Sequence, residues 1–229
     1  MRKIFVGVLF MLVSSFSFSQ LKNGYEIDIT IHGLQDSTVF LAYHFGDKQY
    51  IKDTIKLNKA GHAIVSGREV LPQGIYMIVL PGKKYFEILI SKDQNFSLEC
   101  SYVDYFNTLK FSGSDENSAF LEYQKKWMLL QQQASALAKR VQNNKQNSDS
   151  LRILSLKQKT QEDNMKLYLK SVINSNNGNL LATLVKALLP IDVPEFSIPA
   201  MVQNRDSVKW IKNYNYNKDH FFDNIDLTD

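Results

Sequence analysis

Residues 74–100 read GIYMIVLPGKKYFEILISKDQNFSLEC, three apolar runs parted by two turn signals. Ile75 to Leu80 is almost unbroken apolar sequence, the pattern of a strand covered on both faces. Pro81-Gly82-Lys83-Lys84 interrupts it with turn chemistry. Tyr85 to Ile90 then alternates, with Phe86, Ile88 and Ile90 on one face and Glu87 on the other. After Lys92-Asp93-Gln94-Asn95, the residues Phe96, Leu98 and Cys100 point one way and Ser97 and Glu99 the other. The expected unit is an antiparallel meander inside a packed β domain.

Upstream, the same period of two recurs. Tyr25, Ile27, Ile29 and Ile31 share a face, and Gly33 ends that strand. Val39, Leu41 and Tyr43 mark a second strand, Ile51, Ile55 and Leu57 a third, and His62 to Ser66 a fourth. Leu71-Pro72-Gln73-Gly74 is a turn leading into the opening stretch. Phe106 to Phe111 is expected to add a last short strand. Residues 24–112 therefore predict an antiparallel β-sandwich or open barrel.

At Ser112-Gly113-Ser114-Asp115 the period changes. A Ser or Asp cap, with Asp115 and Glu116 in the first turn, predicts a helix start. Phe120, Tyr123, Trp127, Leu130, Ala134, Leu137 and Val141 follow at spacings of three and four, a heptad seam. Gln142 to Ser150 is polar and reads as a loop. A second seam runs through Leu151, Leu154, Gln158, Gln161, Met165, Tyr168 and Val172. Two long helices joined in this way predict an antiparallel hairpin, too thin to stand alone and so expected to lie on another domain or a partner. Gly178 stops the second helix. Short helices are expected at Leu180 to Leu189, capped by Asn179, and at Asp206 to Asn213. The fold class is α+β, with residues 24–112 as the β domain and residues 114–229 as the helical region.

Arg2-Lys3, the apolar run Ile4 to Val13 and the small residues before Gln20 have the form of a signal peptide over residues 1–19. Export, with a periplasmic destination, is the expectation. No later stretch is apolar enough to span a bilayer. Removing Arg2 and Lys3 from the 27 cations leaves 25 against 23 anions, a charge of +2. That balance argues against a nucleic-acid partner. Cys100 is the sole cysteine, so neither an internal disulfide nor Cys-x-x-Cys chemistry is available to this chain. Its place beside Phe96 and Leu98 predicts a thiol packed as a small hydrophobe.

No nucleophile–base pair, metal-ligand spacing or phosphate loop stands out, so no catalytic residue, cofactor site or metal site is assigned. Phe120, Tyr123 and Trp127 form an aromatic stripe that serves either as core or as a partner-binding groove. His32, His44, His62 and His220 are scattered, and hydrogen-bonded or surface roles are expected for them. Glu26 and Asp28 share the outer side of a strand, where a glycosidase pair is disfavoured. Asp36-Ser37, Asp53-Thr54, Asp149-Ser150 and Asp206-Ser207 carry turn and cap chemistry, with O-glycosylation as the alternative. Tyr43, Tyr50 and Tyr76 would have to be exposed to form a platform for a small molecule or glycan.

Several stretches together resemble a known family: Ile31-His32-Gly33-Leu34 with Asp36, Asp53-Thr54, Gly74-Ile75-Tyr76, and Phe86 to Ile90. Asp93-Gln94-Asn95-Phe96 and Phe111 to Asn117 continue the resemblance. The β part is similar to the N-terminal domain of exported thiol–disulfide oxidoreductases of Bacteroidetes-type bacteria. The helical part, through Trp210 and His220-Phe221-Phe222-Asp223-Asn224-Ile225-Asp226, resembles the segment that joins it to a thioredoxin-like domain. That redox domain, with its paired cysteines, is expected after the closing motif, whereas this sequence stops at Asp229. The resemblance implies a non-catalytic module that docks or positions a redox domain, or binds a client protein. Two alternatives stay open: a longer gene product that is itself an oxidoreductase, and a small-molecule or glycan-binding sandwich.

Overall fold

The structure is a computed structural model and describes residues 24–144 and 148–225. The expected signal peptide lies outside the described residues. Eight strands form two four-stranded sheets. The first holds β1 (Tyr25–His32), β4 (His62–Gly67), β7 (Asn95–Ser101) and β8 (Lys110–Ser112), in the order β4-β1-β7-β8. The second holds β2 (Thr38–Phe45), β3 (Lys48–Lys56), β5 (Gly74–Leu80) and β6 (Lys84–Ile90), in the order β3-β2-β5-β6. Their inner faces meet in one core. Ile27, Ile29 and Ile31 of β1 pack there with Val39 and Leu41 of β2, Ile78 of β5 and Ile88 of β6. The alternating residues of the sequence are those that fill it, because period two sends every second side chain to one face.

The expected meander does not form. β5 and β6 do pair antiparallel, with Tyr76 opposite Ile88 and Ile78 opposite Phe86. The third run crosses to the other sheet instead. β7 pairs with β1 in parallel, Ile27 opposite Phe96, Ile29 opposite Leu98 and Ile31 opposite Cys100. The turn at Ser91–Gln94 is thus a sheet-to-sheet crossover. It is held by Gln94, whose buried amide accepts from Leu71 N at 2.8 Å and donates to Leu71 O at 2.9 Å and Ser91 O at 3.0 Å. A buried amide answered on both sides in this way acts like one residue of an extra strand. The expected strand at 106–111 is also corrected. Tyr105–Thr108 is a single helical turn, α1, and only Lys110–Ser112 pairs, antiparallel to β7. Gly61 (φ +75°) closes the turn before β4, where an added Cβ would stand 2.4 Å from Ile31 O. Its carbonyl accepts from Ile31 N at 2.8 Å, so the close approach is part of the pairing.

The helical region begins as expected. Ser114 caps α2 (Asp115–Asn143), its side chain accepting from Asn117 N. α3 (Ser148–Ser175) runs back along it, and Gln142, Asn143 and Ser148 to Ser150, expected in a loop, are helical. α4 (Leu180–Ala187) follows. The base of the hairpin lies on the outer face of the second sheet, where Leu89 of β6 meets Phe120, Tyr123, Leu169, Val172, Leu181 and Val185. The cover expected for a thin hairpin is therefore supplied by the sandwich. α5 (Arg205–Asp219) is longer than the expected Asp206–Asn213 helix and buries none of its residues. Among the described residues no helix is long and apolar enough to cross a membrane.

Candidate functional site

One polar corner fixes the helices on the sandwich. β6 is an edge strand, and Asn117, 1% exposed, closes that edge at Leu89. Leu89 N donates to Asn117 Oδ1 at 2.7 Å, and Asn117 Nδ2 donates to Leu89 O at 2.9 Å. Ser114 Oγ holds the amide by accepting from Nδ2 at 3.0 Å. Next to it, the buried Glu116 carboxylate accepts from Leu181 N at 2.8 Å and from Ser91 Oγ. Asn179 makes no side-chain cap, so Glu116 caps α4 from a different helix. A carboxylate at a helix N-terminus answers both an orphan N–H and the positive end of the dipole. Sheet edge, crossover and two helix starts are thereby tied together within a few residues.

Beyond that corner a groove of about 400 Å³ lies between β5, β6, α1, α2 and α4. Ile75, Phe120, Leu181 and Val185 line it with Phe106, Tyr123, Trp127 and Leu184. Met128 and Leu188, each about half exposed, stand at its rim. The aromatic stripe marked in the sequence is brought together here. Phe120 and Tyr123 stack with centroids 6.4 Å apart, Tyr123 and Trp127 at 6.1 Å, and Tyr123 and Tyr168 of α3 at 6.3 Å. Phe120 and Tyr123 are buried and Trp127 is half-buried, so the stripe is at once core and groove wall. The carboxylate in the groove is Glu87, whose Oε2 accepts from Gln124 Nε2 at 2.8 Å. The α4 residues and Glu87 were not singled out by sequence. Leu180 to Leu188 is apolar around too much of its circumference for periodicity to separate a lining face from a core face.

The other marked residues disperse. His32 meets Glu99 at 2.7 Å, His62 meets Asp28 at 2.9 Å and His220 meets Asp223 at 2.6 Å, while His44 lies 3.5 Å from Gln49. His32 and His44 belong to different sheets. Among the described residues no three His, Cys, Asp or Glu side chains gather as a metal site. Asp53 bonds the N–H of Thr54 at 2.7 Å, and Ser37 Oγ donates to Gln35 O at 2.9 Å, both local turn chemistry. Tyr50, Tyr43 and Tyr76 form a row across three strands, with centroids 5.8 and 5.7 Å apart. Tyr76 is buried and donates to Pro72 O at 3.1 Å, Tyr43 is half-buried, and Tyr50 at the sheet edge is 42% exposed. The row presents one exposed ring rather than a platform of three. A second cleft of about 450 Å³ opens between the start of α2 and the end of α3, with Asp115, Glu122 and Ser171 on its walls.

Burial pushes the Cys100 thiol from an ordinary 9.0 to about 12, helped by the charge of Glu99. Burial, then Tyr168, likewise pushes Tyr123 from 10.0 to about 12. Burial also raises Tyr25, Tyr76 and Tyr168. Each group ionises at lower pH in the unfolded chain, so the unfolded chain holds fewer protons in alkali. Stability from these groups is whole below about pH 9 and declines as pH rises towards 12. The urea midpoint is expected to fall between pH 8 and pH 11, and Cys100 to react with a thiol reagent only in unfolding urea. A flat midpoint, or rapid labelling of the folded chain, contradicts this.

Residues 25–120 match the model of a domain of unknown function (DUF4369). The DUF4369 match spans every strand of the sandwich and runs into α2, taking in Ser114, Glu116, Asn117 and Phe120. The polar corner thus lies within the domain on its α2 side, while Trp127 and α4 lie beyond it. No curated protein matches the chain.

Proposed function

We propose that the chain is a non-catalytic, exported module that docks protein and positions a thioredoxin-like redox domain. The observation that carries the docking reading is the groove: aromatic and aliphatic walls, a half-exposed apolar rim and one carboxylate. Grooves of that composition hold a polypeptide segment through a few apolar anchors, with the polar group setting orientation. Export rests on the signal-peptide form of residues 1–19, and the redox partner on the family resemblance.

The test is calorimetric titration of residues 20–229 with a thioredoxin-like domain from the same cell envelope. Micromolar binding is expected. Leu184→Asp, which places a charge in the groove wall, is expected to weaken it at least tenfold, about 1.4 kcal/mol, with the circular dichroism spectrum unchanged. No detectable binding, or binding indifferent to Leu184→Asp, overturns the reading.

A further inference from the structure

α5 and the groove are each incomplete, and in complementary ways. α5 has 15 residues, none of them buried. It is tied to the proline-rich segment before it: Tyr216 packs on Phe196 at 5.9 Å, Lys212 lies over the Phe196 ring at 5.6 Å, and Arg205 donates to Ile198 O at 3.0 Å. Its other side carries Trp210, 66% exposed and stacked on Tyr214 at 5.5 Å, with Ile211 beside them and Phe221 and Phe222 just beyond. A helix this short is marginal in water without an apolar cover. Lys209 adjoins this stripe, and Lys218 sits one turn after Tyr214. The groove offers the converse: apolar walls and the Glu87 carboxylate, which among the described residues is met by the neutral Gln124 amide and by no cation.

We propose that α5 of a second copy of this chain lies in the groove, and that two copies exchange these helices about a two-fold axis. The proposal rests on the reading of the groove as a polypeptide site, for which α5 and the thioredoxin-like domain then compete. Helix-in-groove recognition uses anchors three and four residues apart, the spacing of Ile211, Trp210 and Tyr214. A lysine of the incoming helix supplies the cation that Glu87 lacks. Reciprocal exchange closes the assembly at two chains, whereas one-way insertion would run on into larger rings or open polymers.

Sedimentation of residues 20–229 across micromolar concentrations is expected to give a mass near twice that of the chain. Trp210→Glu, on the exposed helix face, is expected to weaken the dimer at least tenfold without altering the circular dichroism spectrum. Glu87→Lys is expected to do the same, and adding Lys209→Glu and Lys218→Glu to it is expected to recover part of the loss. A monomer at every concentration, or a dimer indifferent to Trp210→Glu, overturns the proposal. If the chain is monomeric while Leu184→Asp still abolishes binding of the thioredoxin-like domain, the second-copy assignment falls and the docking function stands. A dimer lost with Trp210→Glu, together with no binding of that domain, upholds the exchange and removes the redox partner.

Discussion

Asn117→Leu is expected to lower the unfolding free energy by about 4 kcal/mol. The replacement keeps the branched outline and the number of heavy atoms and leaves no cavity, so the loss comes from hydrogen bonding. Asn117 is the partner of both Leu89 N and Leu89 O, at 2.7 and 2.9 Å, on the edge strand of the second sheet. With leucine there, two buried backbone groups face hydrocarbon, at about 1–3 kcal/mol each. The cap at Ser114 also loses the amide it holds. The measurement is a urea or thermal unfolding curve, in which about 4 kcal/mol corresponds to a melting point lower by roughly 8–16 °C for a chain of this size. A change below about 1 kcal/mol would show that the edge does not depend on this side chain.

Glu116→Ala is expected to cost about 3 kcal/mol, and to act locally first. It removes two hydrogen bonds to a carboxylate, each worth about 1.5–3 kcal/mol before relaxation, and with them the cap on α4. The consequence is legible by hydrogen exchange. Amides of α4 (Leu180–Ala187) should exchange faster than in the parent, while those of β1 and β7 keep their protection. Glu116→Gln keeps an oxygen for Leu181 N and is expected to cost about half as much. Equal losses for the two variants, or uniform acceleration across both sheets, would show that Glu116 does not act as the cap of α4. The groove is the functional reporter, since Leu181, Leu184 and Val185 form its α4 side. Glu116→Ala should therefore weaken any ligand of the groove even though Glu116 does not touch it.

Both variants concern residues whose importance is invisible in one dimension. Asn117 and Glu116 sit in the first turn of α2, where Asp, Glu and Asn are ordinary helix-start chemistry. Nothing local marks one of them as pairing with a strand 28 residues earlier and the other with a helix start 65 residues later. The aromatic stripe was more legible. Its spacing of three and four put Phe120, Tyr123 and Trp127 on one side of a helix, but could not say that the side would be divided between core and groove. α5 was legible as a helix but underestimated in length. Tyr214, Asn215, Tyr216 and Asn217 have modest helix propensity, and the ring contact of Tyr216 with Phe196 is tertiary.

What the chain order alone determined is the faces. Alternation in β1, β2 and β7 settles which side chains go inward, and the change of period near Ser114 settles where sheet gives way to helix, because both follow from local backbone geometry. What only the tertiary structure decided is the neighbours. Phe96, Leu98 and Cys100 alternate in the same way whether β7 lies beside β6 in a meander or crosses to lie parallel to β1. Period two records that a side chain is buried, not which strand its backbone bonds, so the crossover, the polar corner and the groove depend on contacts between distant residues.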